Sequence, residues 1–412
     1  MIINLTKQRG QVVLLYITTL VGVFLGVISS IVNTHYVNPS VYGDVRYVQN
    51  IINFISSLLL LGYFQSGSRL LALARDKEES RQIKGCMVLV LIVTSFILMI
   101  SCLVCGFIHE DKKGLDSLFW ISVPVCISPL LLNYVNTTAQ GDNQISRISI
   151  ARLVPSLIYV PVAFLLYKYT GATSTKMILL QWGIATIVLI GIIWSTHPQF
   201  KDISKVWKKL IKENKEYGFQ LYVGSLVMVA TNYLAGISLG AFNADNSEVG
   251  FYTLALTVTT PLQSLPSIIG TTYFKQFAKQ DRIPLKVMKA TVVLTVSSCL
   301  LFALCIKPLV YYLYSERYAQ VGTYAIILAL GFSMHGFGDM LNRYLGSHGK
   351  GKYIRNASIA NGVFKVIGYT VLVYFFNTMG ALVTTVICDA IYMICLLFYY
   401  RRFTSNVNKQ FL

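Results

Sequence analysis

Long apolar stretches follow one another along almost the whole chain, with short polar segments between them. A bilayer core about 30 Å thick is crossed by roughly 20 apolar residues at a rise of about 1.5 Å each. Seven stretches reach this length without a Lys, Arg, Asp or Glu, namely 10–34, 47–68, 86–108, 117–141, 177–196, 218–244 and 249–274. Five shorter or interrupted candidates are 148–167, 290–306, 321–342, 357–376 and 380–400. The pattern therefore predicts twelve membrane-spanning helices.

The composition agrees with this pattern and excludes several classes of protein. Of the 412 residues, 55% are hydrophobic and only 13% are charged. A soluble chain usually carries roughly 25% charged residues. A water-soluble enzyme, a disordered chain and a disulfide scaffold are therefore excluded in favour of an all-α membrane protein.

The net charge of +18 reflects orientation in the membrane. If the N-terminus is cytoplasmic, 27 of the 35 Lys and Arg residues fall in inside segments and seven fall in outside segments. The remaining one, Lys365, lies within a span. Because basic residues concentrate on the cytoplasmic side, we expect both termini in the cytoplasm. Nucleic-acid binding is not needed to explain the charge, and the short outside loops leave no room for a catalytic domain.

The two halves of the chain show a weak internal repeat at an offset of about 207 residues. Val41-Tyr42-Gly43 precedes the second span, as Glu248-Val249-Gly250 precedes the eighth. Gly141 with Arg147 and Gly349 with Arg355 have a similar offset. We expect an N-terminal lobe at 1–196, a cytoplasmic linker at 197–217 and a C-terminal lobe at 218–412, with six helices in each lobe and an axis along the membrane normal.

The linker combines large apolar residues at helical spacing with six lysines on its other faces. Such a pattern is typical of a helix lying on an anionic leaflet, although a solvated linker has a similar composition.

Ionisable side chains within a span are costly and are functional candidates for that reason. Lys365 in the eleventh span and Asp389 in the twelfth lie at similar depth, which fits either a structural ion pair or a role with substrate or ion. Asp339 lies near the inner end of the tenth span, one turn before Arg343, with which a surface pair is expected. We take Asp389 and Asp339 as candidates for ion coupling.

Cations near helix ends and amides within the helices suggest a polar cavity. The cations are Arg46, Arg69 and Arg152, each of which has snorkelling to the headgroups as an alternative explanation. The candidate amides are Asn33, Asn50, Asn53 and Gln140, which avoid lipid by packing between helices or lining a wet cavity.

Cofactor and metal chemistry find little support. The eight Cys residues lie in apolar spans, as buried hydrophobic residues do. Cys102, Cys105 and His109 share a helical face, but no further ligand cluster accompanies them. No Walker motif, catalytic triad or metalloprotease helix is found in the sequence. We expect neither a metal nor a cofactor, and no enzymatic activity.

Short segments of the sequence resemble those of a known family. Asn38-Pro39-Ser40-Val41-Tyr42-Gly43 and Gly67-Ser68-Arg69 look like features of a Wzx-type polysaccharide-repeat flippase of the multidrug/oligosaccharidyl-lipid/polysaccharide exporter (MOP) superfamily. Val249-Gly250-Phe251-Tyr252 and the segment 342–350 are similar to the matching features of the second half.

The resemblance implies two six-helix lobes around a central cavity that opens alternately to each side. It also implies an undecaprenyl-diphosphate-linked oligosaccharide as cargo, moved to the periplasmic leaflet of the bacterial inner membrane for O-antigen or capsule assembly. The polymerase and chain-length machinery of that pathway would be partners. Family members commonly have cations in the cavity, for which Arg46, Arg69, Arg152 and Lys365 are the candidates here.

Two other functions stay open. A drug/cation antiporter of the same superfamily would normally carry carboxylates deep in its N-terminal lobe, and the first six spans contain none. A membrane-embedded polymerase or ligase would be expected to show a large periplasmic loop. Lipid II flippases are also relatives, but they generally carry additional C-terminal helices.

Overall fold

A computed structural model describes residues 2–111 and 114–410, with side chains described from residue 17 onwards except at 145, 224, 225, 227–230, 275 and 406–410. Lys112 and Lys113, which were counted in an outside loop, lie outside these residues. The described chain is almost entirely helical and contains no β-strand. The helices of the first half are α1 (Ile2–Tyr36), α2 (Pro39–Leu59), α3 (Tyr63–Ala72), α4 (Lys77–Ile108), α5 (Leu115–Ser122), α6 (Ser128–Gly141), α7 (Ile145–Thr170), α8 (Ser174–Trp194), α9 (Ile203–Glu213) and α10 (Phe219–Phe242). Those of the second half are α11 (Ser247–Thr272), α12 (Phe274–Phe277), α13 (Leu285–Tyr314), α14 (Ala319–Ser347), α15 (Gly351–Ile367) and α16 (Val373–Gln410).

Each of the twelve predicted segments coincides with helix, so the predicted all-α class is confirmed. Three segments are bent or broken. The second consists of α2 and α3, which meet at an angle of 59°. The fourth consists of α5 and α6, separated around Pro124, whose missing N–H cannot continue a helix. The eleventh runs through α15 and a π-helical turn at Gly368–Leu372, and it ends at Asn377 inside α16, where φ is 50°.

Length and composition support a membrane location. Seven helical stretches of the described chain are long and apolar enough to cross a membrane, or eight if α2 with α3 counts as one span. Large apolar side chains face outwards along these stretches. Ile187 of α8 is 73% exposed and Leu304 of α13 is 78% exposed, which suits contact with lipid tails.

The chain divides into two compact units. Unit 1 comprises Met1–Val37 and Asp44–Tyr233, and unit 2 comprises Asn38–Gly43 and Leu234–Leu412. In unit 1, α1 packs against α7, and α6 packs against α3, α7 and α8. In unit 2, α14 packs against α11, α13 and α16. Buried glycines and alanines along α14 let these neighbours approach closely.

The predicted linker belongs to unit 1, which therefore extends to Tyr233, beyond the expected lobe boundary at residue 196. Val206 and Leu210 of α9 are buried, and α9 packs against α3 and α4. Trp207 stacks on Tyr63, with ring centroids 5.8 Å apart. Protein rather than lipid thus covers the centre of the apolar face of this helix.

The segment Asn38–Gly43 packs within unit 2, where it meets its own counterpart in the internal repeat. A Cβ atom on Gly43 would lie 1.7 Å from the carbonyl oxygen of Asn246, and one on Gly250 would lie 2.6 Å from the carbonyl oxygen of Pro39. Both glycines and both carbonyls are related by the same offset of 207 residues. Only glycine fits either position, so the repeat seen in the sequence corresponds to a reciprocal contact, here called the glycine crossing.

Candidate functional site

A cavity of about 410 Å³ lies within unit 1, between α1, α6, α7 and α8. Its polar lining consists of Thr18, Thr19, Ser29, Ser128, Arg152, Ser156, Tyr159, Gln181 and the indole of Trp182. None of the described lining residues is Asp or Glu. The cavity, here called the unit 1 cavity, therefore offers hydroxyl groups, one amide, aromatic faces and a single cation.

Arg152 is the predicted cation that reaches this cavity. It lies two turns into α7 and is exposed. Within residues 2–111 and 114–410 it forms no ion pair. A guanidinium without a carboxylate partner is free to bind an anionic group with two parallel hydrogen bonds.

Arg46 connects to the same cavity through two amides. Its Nη1 donates to Gln49 Oε1 at 2.9 Å, and Gln49 Nε2 donates to Gln181 Oε1 at 3.1 Å. Asn50 and Asn53, which are half-buried, lie on the same face of α2 as Arg46 because they follow it by four and seven residues. They do not line the unit 1 cavity.

Asn33 belongs to the wall behind the cavity. It is fully buried, and its Oδ1 accepts a hydrogen bond from the hydroxyl of Tyr159. That hydroxyl lies 3.2 Å from the hydroxyl of Tyr167. In the described residues, Asn33 Nδ2 has no hydrogen-bond partner. A buried donor left in this state costs about 1–3 kcal/mol, which ligand or water reaching past Tyr159 would recover.

Two predicted residues lie elsewhere. Arg69, in the last turn of α3, forms an ion pair with Glu213 and lies 4.9 Å from the ring centroid of Tyr217. It holds the linker against α3. Gln140 is exposed in the last turn of α6, outside the lining of the unit 1 cavity.

Unit 2 contains a cluster of ionisable side chains on α14, α15 and α16, here called the unit 2 cluster. Lys365 Nζ lies 3.5 Å from Asp389 Oδ1, so the similar depth expected from the sequence is a direct contact. Asp389 is also 2.9 Å from His335 Nδ1. Lys365 is only 13% exposed and Asp389 3%, which makes this a largely buried charge pair.

Asp339 completes the cluster and differs from expectation. Its Oδ1 lies 3.9 Å from His335 Nε2 and accepts a hydrogen bond from the hydroxyl of Tyr392 at 3.3 Å. The expected pair with Arg343 is wrong: no such ion pair occurs in the described part of the chain. Tyr392, which stacks on His335 at 4.6 Å, draws the carboxylate towards α16, while Arg343 is exposed.

The backbone next to Lys365 is irregular. The π-helical turn Gly368–Leu372 begins three residues later, and a Cβ atom on Gly368 would lie 2.4 Å from Thr384. Such turns are frequent at functional sites. Here the turn brings α15 close to α16 just beyond the lysine.

The charge balance of the cluster depends on one proton. If the lysine and both aspartates are counted as charged, the cluster has a formal charge of −1 when His335 is neutral. With protonated His335 the charges cancel. Since both aspartates contact His335, proton binding there would change the balance across all three helices.

His335, Gln181 and Tyr159 were not found by sequence reasoning. His335 lies one turn before Asp339 on the same face of α14, and this spacing could have identified it from the sequence. Gln181 is the amide in the middle of an apolar segment. Tyr159 lies between Pro155 and Pro161 and carries no comparable signal.

His109, which shares a helical face with Cys102 and Cys105, has other partners in the structure. The described residues contain no group of three or more His, Cys, Asp or Glu side chains that could hold a metal ion. His109 Nε2 instead lies 3.0 Å from the hydroxyl of Tyr47, and its Nδ1 lies 2.8 Å from the carbonyl oxygen of Cys105.

Apolar membrane-length helices define a polytopic membrane protein, and solved structures share the fold. A multidrug resistance MATE family transporter of the MOP superfamily, in an inward-facing conformation, matches with a TM-score of 0.70 at 15% identity, over 94% of this chain and 96% of that one. The lipid II flippase MurJ matches with a TM-score of 0.74 at 14% identity, over 94% and 87%. A MOP superfamily transporter from Pyrococcus furiosus matches with a TM-score of 0.59 at 13% identity, over 96% and 95%. At these identities the likeness concerns the fold.

The chain belongs to the polysaccharide biosynthesis protein family, which it matches over residues 10–279, well over half its length. Among curated proteins, none matches it significantly. The resemblance stated from the sequence is therefore confirmed for the family and for the MOP fold.

Proposed function

We propose that the protein is a flippase that moves an undecaprenyl-diphosphate-linked oligosaccharide repeat unit from the cytoplasmic to the periplasmic leaflet by alternating access. The repeat unit would serve O-antigen or capsule assembly. The polyprenyl tail stays in lipid, so only the sugar and diphosphate head needs a polar path. No chemical step is required, and the protein acts as a transporter and not as an enzyme.

The observation that carries this proposal is the lining of the unit 1 cavity. Sugar hydroxyls are recognised by hydroxyl and amide side chains and by aromatic faces, and a diphosphate requires cations. The cavity supplies serine and threonine hydroxyls, Gln181 and Trp182 for the former and Arg152 for the latter. Arg46 adds a positive charge behind Gln49 and Gln181.

A drug/cation antiporter is the second candidate. A cationic cargo would need carboxylates in the unit 1 cavity, and its described lining contains none.

The unit 2 cluster provides titratable groups for ion coupling of the proposed flippase. We extend the proposal to proton coupling through Asp389, Asp339 and His335, with Lys365 released from Asp389 during the cycle.

We also propose a setting for the protein, with both termini in the cytoplasm and the chain in the bacterial inner membrane. The concentration of basic residues in the predicted inside segments supports this orientation. Lipid-linked oligosaccharide and membrane lipids are the partners, together with the polymerase and chain-length machinery of the pathway.

Reconstitution tests the proposal directly. Proteoliposomes containing the protein and an undecaprenyl-diphosphate-linked oligosaccharide would be probed for oligosaccharide that becomes accessible on the opposite leaflet. We expect the wild-type protein to move the lipid-linked oligosaccharide between the two leaflets. Arg152→Ala should lower the rate about tenfold or more, because a charge-assisted contact to diphosphate is worth roughly 1.5–3 kcal/mol.

Arg343→Ala is the matched control, since it removes an exposed arginine outside the unit 1 cavity. It should transport at the wild-type rate. Absence of flipping by the wild type, combined with efflux of a cationic dye, would favour the antiporter. Equal rates for Arg152→Ala and Arg343→Ala would remove the cavity from the transport path.

A further inference from the structure

A second polar pocket, of about 650 Å³, lies within unit 1 where helices begin and end. It is formed by the turn between α3 and α4, the start of α4, the turn between α6 and α7, and the end of α8. In the described chain it shares no lining residue with the unit 1 cavity. Its charged lining consists of Arg75, Lys77, Arg81, Lys84 and Arg147 with Asp76 and Asp142. We call it the basic pocket.

Both carboxylates of the basic pocket are already engaged by the protein. Asp142 forms an ion pair with the buried Lys84 and accepts a hydrogen bond from Ser80 Oγ at 3.1 Å. Asp76 caps α4 by accepting a hydrogen bond from the backbone N–H of Glu79 at 2.7 Å. Both acids thus already have partners within the protein, and the five Lys and Arg residues of the lining outnumber them.

Four cations remain outside any ion pair of the described residues, and of these Arg75 lies next to the carboxylate of Glu79. Arg75, Lys77, Arg81 and Arg147 form no ion pair within 4.0 Å among the residues that the structure describes. The side chain of Arg147 donates a hydrogen bond to the carbonyl oxygen of Ser195, at 3.5 Å. Cations from α4, from α7 and from the turn before α4 thus surround one space. A concave surface with unbalanced positive charge concentrates anions.

The rim of the basic pocket has the character of a membrane interface. Trp194, which is 76% exposed, directly precedes the lining residue Ser195, and Leu73, which is 65% exposed, lies between the lining residues Ala72 and Ala74. Exposed tryptophan marks the headgroup level of a bilayer. On the side where basic segments lie, that level contains anionic phosphates.

We propose that the basic pocket binds the phosphate group of an anionic lipid headgroup, with Arg81 and Arg147 as the principal contacts. A free diphosphate has the same chemistry and would occupy the same space. The bound phosphate connects the starts of α4 and α7 with the end of α8, in addition to the contacts of Asp142 with Lys84 and Ser80 and of Arg147 with Ser195. This site does not depend on the cargo proposed above.

Native mass spectrometry of the purified full chain tests the site with defined probes. The probes are a short-chain phosphatidylglycerol, a short-chain phosphatidylcholine and pyrophosphate. We expect phosphatidylglycerol to remain bound and phosphatidylcholine to be lost, with binding weakened by salt. In the variant R81Q/R147Q the affinity should fall about 30-fold, since each cation near an anionic surface contributes a factor of about five.

Two further variants control for charge and for folding. K286Q/K289Q removes two lysines from the start of α13 in unit 2 and should bind as the wild type does. R81K/R147K keeps the charge and should recover most of the binding. Lys84 is left in place because its loss would strand the carboxylate of Asp142. If R81Q/R147Q does not fold, Arg147→Gln alone should still lower affinity about fivefold.

The outcomes separate the sources of phosphate. Retention of phosphatidylglycerol that depends on Arg81 and Arg147 establishes a lipid headgroup, whereas displacement by pyrophosphate with no lipid retained establishes a free phosphate site. Equal binding by R81Q/R147Q and K286Q/K289Q would overturn the proposal. Equal retention of phosphatidylcholine and phosphatidylglycerol would do so as well.

Discussion

Polar side chains inside the protein are arranged in opposite ways in the unit 1 cavity and in the unit 2 cluster. In the unit 1 cavity the groups are uncharged except for Arg152, they surround open space, and one buried amide donor next to the cavity has no hydrogen-bond partner among the described residues. In the unit 2 cluster the groups are ionisable side chains that pack together and contact one another. The proposed function assigns different roles to the two units: unit 1 receives a hydroxyl-rich cargo, and unit 2 holds the groups proposed for proton coupling.

The largest effect is expected from breaking the unit 2 cluster at its centre. Asp389→Asn removes the carboxylate that Lys365 and His335 share, and it leaves a buried lysine without counter-charge. Losing one partner of a buried pair costs about 3–5 kcal/mol. We expect a much lower thermal unfolding midpoint in detergent and no transport.

The double variant Lys365→Met with Asp389→Asn separates structure from coupling. Removing both charges should restore most of the thermal stability but not gradient-driven transport. Wild-type transport by this double variant would mean that the pair is structural, and the two units would then differ less than we propose.

Introducing a carboxylate into the unit 1 cavity tests whether the absence of acidic side chains from its described lining matters for transport. Gln181→Glu keeps the acceptor for Gln49 Nε2 and changes the size of the side chain little. Because the proposed cargo is anionic, we expect flipping to fall about tenfold by like-charge repulsion, with an unchanged unfolding midpoint. Gln181→Leu is the uncharged comparison, and transport by Gln181→Glu that exceeds it would contradict an anionic cargo.

A smaller effect is expected behind the cavity. Tyr159→Phe removes the hydroxyl that donates to Asn33 and leaves a second buried polar atom without a partner. The expected cost is about 1–3 kcal/mol, visible as a lower unfolding midpoint. Tyr167→Phe, which leaves the hydrogen bond to Asn33 in place, should cost less; the reverse order would show that Asn33 is satisfied in another way.

The smallest change in stability should come from His335→Gln. Glutamine can still donate to Asp389, so the stability should change by about 1 kcal/mol or less. The variant cannot take up the proton that balances the cluster. Proteoliposomes with an imposed pH gradient should show gradient-dependent flipping for the wild type and gradient-independent flipping for the variant, and the same dependence in both would exclude His335 from coupling.

The local pattern of hydrophobic and polar residues was sufficient to predict the helices and one contact within the candidate sites. The length of the apolar stretches predicted the position of all twelve helical segments. The similar depth of Lys365 and Asp389 on consecutive helices predicted that these two side chains lie close together. The bend between α2 and α3 was not anticipated, because it occurs at Leu61 and Gly62, where φ is 46° and 81°, within an uninterrupted apolar run.

The remaining contacts join residues distant in sequence. Gln49 meets Gln181 across 132 residues and His335 meets Asp389 across 54, so they depend on how helices pack and rotate. Arg69 could not be separated from a snorkelling or cavity arginine without knowing that Glu213 of the linker docks beside it. Composition identified the polar residues, but helix packing determines which of them share a site.

The glycine crossing limits how far the two repeats can diverge. A side chain at Gly43 or Gly250 collides with a backbone carbonyl of the other repeat, and every amino acid carries that carbonyl. No compensating substitution in the partner repeat can therefore make room, and both glycines persist together or the crossing is lost. At this point of the fold, the two repeats therefore depend on each other for the same residue type.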